Sequence, residues 1–134
     1  QITSGANSIA QMAAKAAVEA DPTVVAEMVK TFKSRRDLVH ELLKEIPNIK
    51  INLPEGAFYF FPDVRYYLGK KAGNRVIETA QDLCMYLLEE HRLALVTGEA
   101  FGDPNCIRIS YATNDEVLKD AIHRLKTGLA ALHD

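Results

Sequence analysis

Short apolar segments typical of strands alternate along this chain with helical segments that each carry one apolar face. Residues 93–97 and 107–112 have strand character, and residues 80–88 and 118–132 have helical spacing. A helix or sheet with one apolar face must bury that face against another element. The alternation therefore predicts an α/β fold, a layered sandwich in which a small mixed sheet is covered by helices.

A helix break is predicted near the start of the chain, at Asp21-Pro22. Asp21 can cap a new helix, and Pro22 is tolerated in its first turn. Apolar residues then keep one face over residues 22–46, apart from the pair Arg35 and Arg36. The pattern predicts one long helix over 22–46, on the N-terminal side of the sheet.

The middle of the chain predicts a hairpin and a loop. Residues 49–53 alternate as a strand, and Pro54-Glu55-Gly56 turns the chain into an aromatic strand over 57–61, mostly core. Residues 65–75, with two glycines, favour a mobile loop. Thr79 with Asp82, and Thr113 with Glu116, have the spacing of capping boxes for the two later helices.

Composition limits the class of function. The chain has 134 residues and a hydrophobic content of 48%, which is enough to form one core. Its net charge of −2 gives no basic surface for nucleic acid. No apolar run approaches the ~18 residues of a membrane span. The two cysteines and four histidines lack metal-ligand spacing, so no metal is predicted. We expect reduced thiols and a cytoplasmic location.

Arg108 is the residue that most constrains function. It lies between Ile107 and Ile109, so a strand there would leave it half-buried. A half-buried guanidinium needs a carboxylate or phosphate partner, which a ligand can supply. On spacing alone an ordinary solvated arginine is the favoured interpretation, and a ligand-binding arginine is the alternative.

Four ordered segments resemble a known family. They are residues 1–11 (QITSGANSIAQ), residues 35–38 (RRDL), residues 54–59 (PEGAFY), and residues 96–102 (VTGEAFG) leading into 108–112 (RISYA). Together they resemble the C-terminal part of class I, fold type I pyridoxal-phosphate aminotransferases, and most closely the aspartate aminotransferase type. One departure is Thr97, where the family most often has proline; it leaves Gly98 and Arg108 in place.

The resemblance implies an enzyme that transfers an amino group between an amino acid, with aspartate as the candidate, and a 2-oxo acid. It implies that Arg108 binds the substrate α-carboxylate and that the intact enzyme is a homodimer. Residues 1–21 would be a remnant of the large cofactor-binding domain. Residues 22–134 would be the small domain, with 22–46 as its interdomain helix.

The family holds its cofactor on a lysine in an S-x-x-K context, and no lysine here follows a serine by three positions. We therefore expect no catalytic or cofactor-binding residue in this chain. On this interpretation the chain is the last third or so of a longer enzyme, separated from its large domain and inactive alone.

Three alternatives stay open. One is a regulatory α/β module in which Arg108 and the Gly98 loop bind an amino acid as an effector. Another is a different fold type I activity, such as a carbon-sulfur lyase, because the same arginine would serve any amino-acid substrate. A third is a protein-interaction domain that uses the helix over 22–46.

Overall fold

A computed structural model of the chain describes residues 5–134, and their contacts form two units that divide between Thr31 and Phe32. Residues 1–4, the start of the first family-like segment, lie outside the described residues. The division falls inside a helix, ten residues beyond the predicted domain boundary at 21/22. That boundary stays a prediction.

The first unit contains helix α1, Ser8–Glu19, in which no residue is buried. The Asn7 side chain caps it by accepting a hydrogen bond from the Ala10 amide at 2.9 Å. The predicted restart at Asp21 is confirmed, because its carboxylate accepts from the Thr23 amide at 2.9 Å with Pro22 in the first turn. That turn, Pro22–Val25, is a 3-10 helix.

Helix α2 spans Ala26–Lys44, so the single helix predicted over 22–46 is shorter at both ends. At its C-terminal end the Ile46 amide bonds to the Leu43 carbonyl, the tighter i to i−3 pattern that often finishes a helix. Asn48, with a φ of 59°, lies in the turn that follows. Val39 and Leu43 are buried and face the core of the second unit.

The main sheet has three strands: β1, Tyr59–Phe60; β4, Val96–Thr97; and β5, Ile107–Ser110. Strand β5 is central, in the order β1-β5-β4. The α/β class with helices around a small sheet is confirmed, but both strand pairs are antiparallel rather than mixed. The short loop from β4 to β5 explains this, because a parallel pair would need a longer crossover.

The predicted hairpin between residues 49–53 and 57–61 is wrong. Only Lys50 of the first segment makes a strand-like bridge, and its partner is Asp63. Strand β1 pairs with β5 instead, with Tyr59 opposite Ser110 and Phe60 opposite Ile109. The sequence pattern predicts strand character but not which strand pairs with which. Pairing of β1 with β5 is favoured because it buries Phe60 in the core.

The mobile loop predicted over residues 65–75 is also wrong. This segment contains a 3-10 turn, Arg65–Tyr67, and a two-stranded hairpin of β2, Lys71–Ala72, and β3, Arg75–Val76. Gly73 turns the hairpin with a φ of 59°, a left-handed conformation that glycine adopts at little cost. Lys71 also bridges to His133, which ties the hairpin to the C-terminal residues.

Helices α3, Ala80–His91, and α4, Asp115–Ala130, pack on each other. The capping box of Thr79 and Asp82 is confirmed. The cap of α4 is Asn114 rather than Thr113, since the Asn114 side chain accepts from the Val117 amide at 3.0 Å. Large, fully buried side chains from both helices, α2 and the sheet form much of the core, together with Ile77 before α3: Leu43, Phe60, Leu83, Leu87, Ile107, Leu118, Leu125 and Leu129. None of the described helices is both long and apolar enough to cross a membrane.

Candidate functional site

Arg108 lies on the central strand, and its side chain is half-buried. Its neighbours Ile107 and Ile109 are buried on the opposite, core-facing side of the sheet. This is the alternation that the sequence predicts for residues 107–111. Val96 of β4 is the cross-strand partner of Arg108 and shares its face.

Two aromatic rings hold the Arg108 guanidinium. Its Cζ atom lies 4.1 Å from the centre of the Phe101 ring and 4.5 Å from the centre of the Tyr59 ring. Tyr59 belongs to β1 on one side of the central strand, and Phe101 follows β4 on the other side. Both distances are within the ~6 Å over which a cation is attracted to a ring face.

The loop after β4 is built around Gly98, which is buried. Its amide donates to the Cys106 carbonyl at 2.7 Å, and its own carbonyl accepts from the Phe101 amide at 2.8 Å. A Cβ atom on Gly98 would lie 2.5 Å from the Cys106 carbonyl oxygen and closer still to that of Asp103. Only glycine fits, so this residue fixes the short turn Glu99–Phe101 that carries the Phe101 ring.

Among the described residues, no side chain or backbone group forms an ion pair or hydrogen bond with the Arg108 guanidinium. Two nearby carboxylates, Asp63, which bridges to Cys106, and Asp103 in the loop before β5, are engaged elsewhere. Asp63 binds Arg65 at 2.7 Å, and Asp103 accepts from the Asn105 amide at 2.9 Å. The N–H edge of Arg108 is therefore available for an anionic ligand.

Two neighbouring groups have shifted pKa values. The Asn105 amide, by donating to Asp103, holds the pKa of that carboxyl below its usual range. Burial raises the pKa of the Cys106 thiol from 9.0 to about 11. The carboxyl is thus charged and the thiol neutral at neutral pH, so Cys106 is a poor nucleophile there.

Three of the four family-like segments meet in the second unit. Arg36 donates from Nη1 to the Pro54 carbonyl at 3.2 Å, which ties α2 to the turn before β1. Tyr111 donates from its hydroxyl to the Ala57 carbonyl at 2.9 Å, which ties the end of β5 to the same turn. The segments over 35–38, 54–59 and 108–112 thus support one another and position the strand that carries Arg108.

The sequence indicates Arg108 as a candidate, which stays a prediction, but it does not indicate the contacts of Tyr59 and Phe101 with Arg108. The sequence predicts that the aromatic run is mostly core, which holds for Phe60 at 1% exposure, whereas Phe58 is 39% exposed. The period of two along β1 is the signal that could have separated Tyr59 from Phe60. Phe101 had no such signal, because its contact with Arg108 crosses a loop.

A surface cavity lies elsewhere, between the β2-β3 hairpin and the ends of α3 and α4. Two of its charged or polar groups are already paired, since Arg75 binds Glu89 at 2.6 Å and His91 contacts the Tyr86 hydroxyl at 3.0 Å, and only the Glu90 side chain forms no ion pair or hydrogen bond within the described residues. Over residues 5–134 no group of three histidine, cysteine or carboxylate side chains could hold a metal ion. Arg108 with its two rings is therefore the candidate site.

Comparison with known proteins gives a consistent result. The family described as aminotransferase class I and II matches residues 1–125. The chain is 46% identical to a Petunia hybrida bifunctional aspartate aminotransferase and glutamate/aspartate-prephenate aminotransferase, covering 98% of this chain and 28% of that protein. It is 41% identical to an aspartate aminotransferase of Pinus pinaster, with the same two coverages.

Solved structures agree. The crystal structure of the aspartate aminotransferase from Rhizobium meliloti is similar with a TM-score of 0.87 and 39% identity, over 99% of this chain and 34% of that one. That from Thermotoga maritima gives a TM-score of 0.77 and 40% identity, over 96% and 30%. The chain thus spans about a third of the length of the relatives it matches. With a family match over most of its residues and close relatives along nearly its whole length, the chain belongs to the class I and II aminotransferase family.

Proposed function

We propose that this chain supplies the substrate-carboxylate site of an aminotransferase that moves an amino group between an amino acid and a 2-oxo acid. The observation that carries the proposal is the Arg108 guanidinium, which is half-buried, held by two rings and without an acidic partner among the described residues. The chain belongs to the aminotransferase family. Amino acids and 2-oxo acids share one group, a carboxylate next to the reacting carbon.

Arg108 would bind this carboxylate through two parallel N–H···O hydrogen bonds. Both bonds lie in the plane of the guanidinium, so they fix the orientation of the carboxylate as well as its position. The neighbouring Cα is then held at one place relative to the rest of the enzyme. Such positioning lowers the entropic part of the barrier without any bond being made by the arginine.

Pyridoxal phosphate, the cofactor implied by the family, supplies an electron sink when bound. The described residues do not fit it. Five lysines form ion pairs with carboxylates, mostly at the surface: Lys15, Lys44, Lys70, Lys119 and Lys126. No lysine has the S-x-x-K context. We assign to this chain only the binding of the substrate carboxylate, and we expect the chain to be inactive without the rest of a longer protein.

The relatives suggest aspartate as the amino-acid substrate, since the proteins from Pinus pinaster and Rhizobium meliloti are both aspartate aminotransferases. Arg108 by itself does not select aspartate, because it would bind the carboxylate that all amino acids share. A homodimeric enzyme and a cytoplasmic location stay predictions.

The test is Arg108→Lys in the complete gene product, assayed with aspartate and 2-oxoglutarate. Lysine keeps the charge but loses the planar fork. A desolvated bidentate pair is worth on the order of 3 kcal/mol, so kcat/KM should fall roughly a hundredfold for both substrates. Arg75→Lys, in the surface pair with Glu89, is the matched control and should leave kcat/KM unchanged.

The melting temperature of each variant is measured alongside. The fold of Arg108→Lys should be intact, because no protein ion pair in the described part of the chain is lost. Near-normal kcat/KM, or a loss explained by unfolding, would return Arg108 to the role of an ordinary solvated arginine.

A further inference from the structure

We propose that Tyr59 and Phe101 are positioning residues, whose rings hold the Arg108 guanidinium so that it presents its N–H edge to a substrate carboxylate. The proposal rests on the proposed function of Arg108 and deepens it. It assigns the geometry of carboxylate binding to two aromatic side chains that do not themselves contact the reacting atoms.

The two rings approach from the two sides of the central strand. Strand β1, with Tyr59, flanks β5 on one edge, and β4, which leads into Phe101, flanks it on the other. Their centres lie 4.5 Å and 4.1 Å from the Arg108 Cζ atom. Contacts from both flanks restrict the sideways motion of the guanidinium and leave its outer edge free.

Each ring is fixed by its own surroundings rather than by a ligand. Tyr59 is held in the strand ladder opposite Ser110, and its ring packs 4.5 Å from the Phe58 ring. Phe101 is held by the hydrogen bond that its backbone amide donates to the Gly98 carbonyl. Its ring also makes an edge contact with the Phe61 ring, with 6.4 Å between the ring centres. The rings are therefore placed before any substrate arrives.

Such placement is needed because an arginine side chain has many rotamers. An acidic partner would normally hold it, and none does so within the described residues. Ordering a flexible side chain during binding weakens affinity, and ordering it beforehand removes that cost. Phe101 is 48% exposed, so its ring contributes less to the core than to the covering of Arg108.

The test compares ring-removing with ring-keeping substitutions in the complete gene product. Tyr59→Leu and Phe101→Leu remove a ring, whereas Tyr59→Phe and Phe101→Tyr keep it. Tyr66→Leu is the matched control, because it removes an exposed ring that lies 4.8 Å from the Lys70 ammonium, outside the site. All variants are assayed for kcat, KM and melting temperature.

A less ordered arginine weakens binding of the carboxylate in substrate and transition state alike. We therefore expect each leucine variant to raise KM for both aspartate and 2-oxoglutarate, roughly tenfold, with a smaller change in kcat. Tyr66→Leu should match the parent protein, and each ring-keeping variant should recover most of the change in KM that its leucine counterpart shows. The melting temperatures should not follow the changes in KM.

Two results would overturn the proposal. One is an unchanged KM in both leucine variants, and the other is an equal loss in ring-keeping and ring-removing variants. If Arg108→Lys loses activity while the leucine variants do not, the positioning role alone is wrong. If Arg108→Lys is itself near normal, the proposed function is wrong.

Discussion

At the scale of single residues, Thr97 carries an uncompensated polar atom. Its hydroxyl oxygen is buried without a hydrogen-bond partner in the described structure. Thr97 lies opposite Ile107, on the core-facing side of the sheet. Burying a hydroxyl without a partner costs free energy that an apolar group of the same shape would not.

Thr97→Val should therefore raise the free energy of unfolding by about 1 kcal/mol, since it replaces the unpaired hydroxyl by a methyl group of similar size. Urea denaturation of the two proteins measures the difference. Thr97→Ser is the control, because it keeps the hydroxyl and loses the methyl, and it should destabilise. A valine variant that is less stable than the parent would show that the hydroxyl has a partner, such as a buried water.

The site itself could be predicted only in part at this scale. The half-burial of Arg108 follows from the alternation of Ile107 and Ile109, which is a local pattern, whereas its choice as a candidate ligand-binding residue depends on the family resemblance. Its ring partners come from distant parts of the chain, and no period in the sequence connects Tyr59 or Phe101 to Arg108. The need for glycine at position 98 is likewise set by the backbone atoms of Asp103 and Cys106, which only the folded loop brings near.

At the scale of elements, the caps of the helices show how finely sequence can locate a boundary. The pattern before α3 was correct, because Thr79 and Asp82 bond to each other's backbone amides. The pattern before α4 places the cap at Thr113, one residue before the cap that the structure shows. Asn114 has the extended backbone of a cap, with φ of −77° and ψ of 161°, and its side chain is the one that accepts.

Asn114→Ala should lower the free energy of unfolding by about 1 kcal/mol, because the Val117 amide loses its acceptor at the start of the helix. Thr113→Ala, one residue earlier, should have a much smaller effect. Urea denaturation of both variants tests the assignment. Equal losses, or a larger loss from Thr113→Ala, would favour the cap that the sequence pattern predicts.

The helices were predicted well and the strands less well, for a physical reason. Each of α1, α3 and α4 has its own spacing and cap, whereas β1 to β4 have only two residues each, too few for a pattern. The β2-β3 hairpin was missed because Gly73 was interpreted as part of a loop. Residues 49–53 alternate as a strand does, so the sequence predicts a strand there. Only Lys50 pairs with another segment, and the predicted strand does not form over the rest of the range.

At the scale of the whole molecule, the two units differ in burial. Within residues 5–31 no side chain is fully buried, and the exposed apolar residues include Ile9, Met12 and Val18. The second unit contains the whole hydrophobic core. Segments with few buried contacts open more readily than the core of the same protein.

Hydrogen exchange should therefore be fast in α1 and slow in α3 and α4. Amides of buried residues such as Leu83, Leu87 and Leu125 should be protected close to the limit set by global unfolding. Mass spectrometry of peptides from this chain, at a concentration where it is shown to be monomeric, gives the comparison. Strong protection of α1 under those conditions would show that it belongs to a stable core.

The strand order β1-β5-β4 has a consequence for how the site is assembled during folding. Tyr59 reaches Arg108 only after the chain between β1 and β5, including α3 and the β2-β3 hairpin, has been closed into a loop. Closing a long loop is entropically unfavourable until the contacts at its ends form, so such pairs form late. The proposed carboxylate site would then exist only in chains whose sheet is complete, and a carboxylate bound there would stabilise that sheet by mass action.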